Sequence, residues 1–494
     1  MATSLREKKL HILFIPFMAQ GHLIPMVDIA RLLSRHDIIV TIATTSLNFN
    51  RFKATVDRDI RSSLPVHVLQ LVFPNSEVGL PEGCESVDSI PSPNLIKNFM
   101  DGVSLLQKPI EEHIEEEQRG STNPISCMVS DKLIVWGGET ARKFGLPRIL
   151  FDGTSCFSLL CSYNLQKSKV YESVGDDSQS FVIPGLPDPV EFTKTQLPAY
   201  FNPGSNQALN SIRKKVREAE EGAYGVLVNS FEDLEPEYVK EYRKVSGRKV
   251  WCVGPASLTN KDDLDKAQRG NKASIDGEKC LNWLNLWEKG SVVYACLGSL
   301  NRLTPSQLVE LGLGLEASNR PFIWVIRGGY KKEELEEWLV EDGFEERVKG
   351  RGLLIRGWAP QVLILSHPSI GAFLTHCGWN STLEGICAGT PMITWPLFAE
   401  QFYNDKFVVK VLKIGLSVGA EKAVHFGEEE KFGVLVTREQ VKEAIEKIMD
   451  EGSEGEERRE RLKRLAEAAK IAIEGGGSSY LNIALLQEDI LQLA

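Results

Sequence analysis

The sequence predicts an α/β protein made of two doubly wound parallel-sheet domains. Three observations carry that expectation. Short β-rich runs alternate with helical patterns, which is how parallel strands joined by crossover helices read. At 494 residues the chain exceeds what a single core comfortably serves. The alternation also halts at a polar, charged stretch, ASLTNKDDLDKAQRGNKASID, and then begins again.

In the first series HILFIP (11–16) reads as a strand and LIPMVDIARLLSRH (23–36) as a helix with Pro25 in its first turn. IIVTIAT (38–44), ISCMVS (125–130), PRILF (147–151) and YGVLVNS (224–230) supply further strands. Residues 256–275 have the composition of an interdomain linker. The second series runs through SVVYACLG (291–298), PFIWVIR (321–327), GLLIRG (352–357), IGAFLTH (370–376) and PMITWP (391–396). Between its first two strands, Thr304 to Gln307 has the spacing of a capping box, with Pro305 at the first helical position. The charged helix ERRERLKRLAEAAKIAI is broken by GGGSS, after which YLNIALLQEDILQLA carries an apolar face that needs a docking surface. The expected limits are a first domain over 1–255, a linker over 256–275 and a second domain over 276–475. A C-terminal helix over 476–494 is expected to pack back on the first domain.

A net charge of −10 excludes a general nucleic-acid binder, because no basic excess exists to neutralise phosphates. Any phosphate site must be local. The nine cysteines are odd in number and scattered, without a C-x-x-C pair, which suits reduced thiols in a cytoplasmic protein. REKK followed by HILFIPFMA imitates a leader, but the apolar run is short, contains Pro16 and leads into Gln20-Gly21-His22. No run approaches the ~18 apolar residues of a membrane span.

In open parallel sheets, ligands collect at the carboxyl ends of strands. The polar residues at those ends form one set: His22 after 11–16, Asp131 after 125–130, Ser299 after 291–298, Trp358 after 352–357, His376 after 370–375, and Glu400 and Gln401 after 391–395. THCGWNSTLEGICAG (375–389) reads as strand, glycine turn and helix start near Asn380-Ser381. Unpaired first-turn amides and the helix dipole make that an anion site, able to hold a diphosphate without a metal. Ser381 and Glu384 also fit a capping box, and spacing alone leaves both readings open. Trp358 could be core or could stack on a flat base. Gly312-Leu-Gly-Leu-Glu-Ala317 matches a dinucleotide fingerprint but lies in a helical pattern, which disfavours a nicotinamide-dependent oxidoreductase. Asp57/Asp59 and Asp263/Asp265 imitate metal-binding pairs in segments that read as solvated.

The stretch from Trp358 to Gln401, with W-A-P-Q, H-x-G-W-N-S-x-x-E and a closing acid-Gln, closely resembles the donor-binding signature of plant UDP-dependent glycosyltransferases. The resemblance extends over essentially the whole chain. It implies two Rossmann-like domains facing each other across a cleft (the GT-B type), with the acceptor bound mainly by the first and the donor by the second. It puts Trp358, beside Ala359, over the uracil, and Gln361 and Glu384 on the ribose. His376, Asn380, Ser381 and Ser299 would meet the diphosphate, and Trp379, Glu400 and Gln401 the sugar. Gln401 is similar to glucose-using members of the family, while Glu400 stands where Asp is usual. The implied reaction is an inverting transfer from UDP-glucose to a small lipophilic hydroxylated acceptor of triterpenoid, steroid or flavonoid type. His22 would act as base, oriented by Asp131, in a cytoplasmic monomer that needs no metal or other cofactor. Galactose, glucuronate or xylose donors remain alternatives. Acceptor contacts are expected from the Pro/Gly-rich segments 74–100 and 181–205.

Overall fold

The structure is a computed structural model that describes residues 9–202, 207–300, 303–327, 331–424 and 428–493. All five residues of His11–Ile15 (β1) are buried, as in a strand covered on both faces of a parallel sheet. Six further strands join it: Ile39–Thr45 (β2), Val66–Leu71 (β3), Cys127–Asp131 (β4), Arg148–Phe151 (β5), Gly225–Val228 (β6) and Lys249–Cys252 (β7). Their order is β3-β2-β1-β4-β5-β6-β7 and every pairing is parallel. The second sheet contains Val292–Cys296 (β8), Phe322–Ile326 (β9), Gly352–Arg356 (β10), Ile370–Thr375 (β11), Met392–Thr394 (β12) and Gly415–Ser417 (β13). Its order, β10-β9-β8-β11-β12-β13, is again wholly parallel. In each sheet the winding reverses beside the first strand, between β1 and β4 and between β8 and β11. Doubly wound folds bind ligands in the crevice at that point.

Three strands of these two sheets escape the sequence pattern. β3 has only its two end residues buried, and β13 is a three-residue edge. β7 is a four-residue strand following a polar loop. The helix Pro305–Ala317 begins at Thr304, whose hydroxyl accepts from Gln307 N. The box itself does not form. The Gln307 side chain instead accepts from Leu435 N and Val436 N and donates to Val436 O. Gly312 and Gly314 in that helix serve close packing: a Cβ would lie 2.9 Å from Trp338 and 2.5 Å from Val441, respectively.

The helix Ser478–Leu491 lies across the first sheet's core. Ile483, Leu486 and Ile490 are buried among residues of β1, β2 and β4, and each contributes roughly 1.5–3 kcal/mol of burial. Asp489 accepts from Trp251 Nε1 at 3.1 Å and pairs with Lys249. Among the described residues, no helix is long and apolar enough to cross a membrane.

Two of the acidic residues expected to be solvated are not. Asp59 and Asp265 are buried, and both pair with Arg31, which is itself buried. Arg31 also donates to Asn260 Oδ1 at 2.6 Å, and Arg58 Nε donates to Asp265 Oδ1 at 3.0 Å. The polar composition of 256–275 therefore reflects buried ion pairs that strap this segment to the first domain. Buried charges are tolerated only when paired in this way.

Candidate active site

After β1 the chain turns and the helix Gln20–Ser34 begins, placing His22 in its first turn. The start lies three residues before the expected one because Ala19, at the N-cap, has no polar side chain to announce it. Pro25 consequently falls in the second turn. A proline there has no N–H to give the carbonyl four residues back, that of Gly21. Asn380 of the second domain supplies the missing donor, with Nδ2 to Gly21 O at 2.8 Å. The defect in one helix becomes a tie between the two sheets.

His22 Nδ1 meets Asp131 Oδ2 at 2.6 Å. Asp131 is fully buried at the end of β4, and its Oδ1 accepts from Leu133 N at 2.8 Å. Both carboxylate oxygens are therefore committed. With Nδ1 donating to Asp131, Nε2 carries the ring's lone pair. Burial opposes the charged imidazole, but the charge and hydrogen bond of Asp131 outweigh it and raise the pKa above the ordinary histidine value. An imidazole so held can accept a proton from a hydroxyl in the adjoining cavity.

Lys132 and Asp152, at the ends of the neighbouring strands β4 and β5, form an ion pair beside this histidine. Lys132 weakens the protonated form of His22 and Asp152 favours it. Neither was singled out in the sequence, although the strand-end rule that finds Asp131 points to both.

In the second domain the helix Trp379–Ala388 starts after Gly378 and has no side-chain cap. The capping reading of S-T-L-E is therefore not borne out. Ser381 Oγ accepts from Gln361 Nε2 at 2.9 Å. Glu384 accepts from Gln361 Nε2 at 2.8 Å and pairs with Arg269. Neither side chain caps the helix, so among the described residues no side chain occupies its first amides, which can meet an anion. His376 follows β11 with its ring between two glycines; a Cβ on either Gly298 or Gly378 would lie 2.4 Å from Nε2. Gly298 adopts φ +81°, which favours glycine on its own account. Burial lowers His376 to about 4, leaving a neutral ring, and its Nδ1 is buried with no hydrogen-bond partner among the described residues.

The Arg327 guanidinium sits 5.0 Å from the Trp358 ring centroid. Gln361 also accepts from Tyr294 OH at 3.3 Å. Trp379 is 2% exposed and its Nε1 donates to Asn229 O at 2.8 Å, so its ring is mainly a packing element at the cavity wall. Gln401 Oε1 accepts from Leu397 N at 2.8 Å and Phe398 N at 3.0 Å, which leaves its amide hydrogens as what it can offer a ligand. Burial raises the Glu400 carboxyl.

One cavity of about 500 Å³ gathers these residues. His22, Ser299, Trp358, Ala359, Gln361, His376, Trp379, Asn380, Ser381, Glu384, Glu400 and Gln401 all line it. Asp131 lies behind His22 and does not. The volume is that of a small-molecule site. At the first-domain end the wall includes apolar Phe17, Val87, Leu133 and Leu159. Of the two segments expected there, 74–100 contributes Val87, and the described part of 181–205 contributes no residue. Phe181, Phe192, Leu197 and Phe201 are instead buried in a core cluster, while residues 203–205 lie outside the described residues. The helix Cys156–Ser168 takes that place, through Ser158, Leu159 and Ser162.

Known proteins resemble this chain throughout. A family model described as UDP-glucoronosyl and UDP-glucosyl transferase matches residues 269–456. UDP-glycosyltransferase 73C12 of Barbarea vulgaris is 52% identical over 487 residues, which is 98% of this chain and 97% of that protein. The crystal structure of Glycyrrhiza uralensis UGT73P12 complexed with glycyrrhetinic acid 3-O-monoglucuronide aligns with a TM-score of 0.91 at 37% identity, covering 98% of this chain and 96% of that one. Medicago truncatula UGT71G1 complexed with UDP-glucose aligns at 0.75 with 26% identity, covering 98% of each chain.

Proposed function

This chain belongs to the plant UDP-glycosyltransferase family, and we propose that it transfers glucose from UDP-glucose to a hydroxyl of a small lipophilic plant metabolite, inverting the anomeric carbon. Membership alone makes it an enzyme that moves a sugar from a nucleotide donor. The finer reading rests on one observation: a carboxylate-held histidine and an uncapped helix N-terminus face the same cavity from opposite domains.

In this reading Nε2 of His22 takes the acceptor's hydroxyl proton as that oxygen attacks the anomeric carbon and UDP departs. Asp131 keeps the imidazole in the right tautomer and stabilises the imidazolium that forms. The amides of the first turn at Trp379, Asn380 and Ser381, with the N–H of neutral His376 and the Ser299 turn, receive the charge growing on the diphosphate. Trp358, with Ala359 beside it, stacks on the uracil, while Gln361 and Glu384 take the ribose hydroxyls. Glu400 and the Gln401 amide meet the sugar. Attack opposite the leaving group turns an α-linked donor into a β-glucoside.

Glucose is what the resemblance of Gln401 to glucose-using members implies, the amide hydrogens of Gln401 are the groups left to meet the sugar, and a relative 26% identical was crystallised with UDP-glucose. The apolar wall favours a triterpenoid, steroid or flavonoid type of acceptor, and the Glycyrrhiza relative was crystallised with glycyrrhetinic acid 3-O-monoglucuronide. We read the enzyme as a cytoplasmic monomer. The test is to incubate it with UDP-glucose, UDP-galactose and UDP-glucuronate against a panel of hydroxylated acceptors, identifying products by mass spectrometry and anomeric NMR coupling. Formation of β-glucosides is expected; α-linked products, or a clear preference for another sugar, would contradict the reading.

A further inference from the structure

The segment joining the two domains does more than connect them. The Arg269 side chain, 10% exposed, holds two buried carboxylates from opposite sides of the cleft. Its Nε donates to Asp28 Oδ2 at 2.6 Å, on the His22 helix of the first domain, and its Nη1 donates to Glu384 Oε1, on the Asn380 helix of the second. Asp28 is secured in turn by Asn260 Nδ2 at 3.1 Å, within the buried network around Arg31. The other oxygen of Glu384 accepts from Gln361, so each of its two oxygens has a donor. Among the described residues Arg269 is the one cation paired with that carboxylate.

The next residues brace the other uridine-facing side chain. Gly270 passes so close to the Trp358 indole that a Cβ would lie 2.4 Å from it, and 2.9 Å from Ile24 of the His22 helix. Ser274 N donates to Trp358 O at 2.8 Å, and Trp358 N donates to Ser274 Oγ at 3.0 Å. One run of six residues, 269–274, therefore touches both Glu384 and Trp358.

We propose that Arg269 is a positioning residue for donor binding. Anchored on Asp28, it holds the Glu384 carboxylate in the orientation from which that group receives the ribose hydroxyls. This rests on the reading of Glu384 as a ribose contact. The physical argument is one of charge and reach. A buried carboxylate stripped of its cation is costly and protonates or turns toward water, and either change removes an acceptor that a diol needs. A guanidinium can bind two carboxylates through separate N–H groups of one rigid plane, whereas an ammonium is a single point charge. Each oxygen of Glu384 keeps a lone pair after its present bond, so Arg269 and a ribose can share it.

The test compares UDP with 2′,3′-dideoxy-UDP, which lacks the two hydroxyls, by titration calorimetry on the full chain. Wild type, R269M, R269K, D28N and E384A are measured, each checked for native melting behaviour. Wild type is expected to favour UDP. The UDP to dideoxy-UDP affinity ratio should fall about tenfold or more in R269M, as befits loss of a charged hydrogen bond. R269K and D28N, which each keep one link of the strap, should fall between. A purely structural role would weaken both ligands equally and leave the ratio intact, and that result would overturn the proposal. Should R269M not fold, an unchanged ratio in R269K and D28N would overturn it equally. An E384A enzyme that still discriminates would instead contradict the role of Glu384, so the two failures are distinguishable.

Discussion

Replacing Asp131 by Asn should silence the enzyme while leaving its shape intact, and the hydrogen bonds dictate why. Oδ1 of Asp131 accepts from Leu133 N at 2.8 Å, and Oδ2 accepts from His22 Nδ1 at 2.6 Å. An asparagine must keep its oxygen toward Leu133, because a backbone N–H there needs an acceptor and burial makes the alternative costly. Its NH2 is then turned to His22, which must answer with a bare Nδ1. The ring proton moves to Nε2, the atom that has to receive the acceptor's proton. The substitution therefore forces the wrong tautomer rather than opening a cavity. For a triad aspartate the corresponding change costs about 10⁴ in kcat, so a loss of roughly 10³–10⁴ is expected, equivalent to about 4–5.5 kcal/mol of transition-state stabilisation. Steady-state kinetics with UDP-glucose and a saturating acceptor read the loss, and calorimetry with UDP should show unchanged affinity. A variant within about tenfold of wild type would refute the tautomer argument.

Four further outcomes follow from the same geometry. The rate should rise with pH through a midpoint above the ordinary histidine value, since Asp131 raises His22 and the protonated ring cannot act as base. Asp152→Asn should move that midpoint down and Lys132→Met should move it up, because Asp152 favours and Lys132 opposes the imidazolium; a pH profile of kcat/KM for each variant reads the sign. Trp358→Ala should weaken UDP binding by roughly 5- to 100-fold, the worth of one base–aromatic stack, with little change in acceptor KM. Gly298→Ala should lower Tm and UDP affinity together, because the new Cβ would sit 2.4 Å from His376 Nε2 at a φ of +81°; a backbone strain of about 1–2 kcal/mol adds to the clash.

Much of this architecture is legible in the sequence itself. β1 and β11 announce themselves as apolar runs because parallel strands are buried on both faces. The strand-end rule brings together His22, His376, Glu400 and Gln401, which line one cavity, and Asp131, which lies behind His22. What was not legible depends on partners distant in sequence. Asp59 and Asp265 look like solvated acids until Arg31, 28 residues from one and 234 from the other, is seen between them. Arg269 reads as one more linker charge, because nothing nearby reveals Asp28 and Glu384 as its partners. β3 and β13 are edges with little burial to enforce a pattern. In the sequence Pro25 looks like a helix-start residue, whereas its consequence is the unpaired carbonyl that Asn380 captures.

The claim on which all of this converges is that His22 is the base. Its most direct test is His22→Ala, assayed for glucosyl transfer to an alcohol acceptor and for UDP-glucose binding in the same preparation. Loss of at least about 10²-fold in turnover is expected, the usual worth of a positioned base, with UDP-glucose affinity retained because the proposed donor contacts lie in the other domain. Turnover unchanged by the substitution would contradict the assignment.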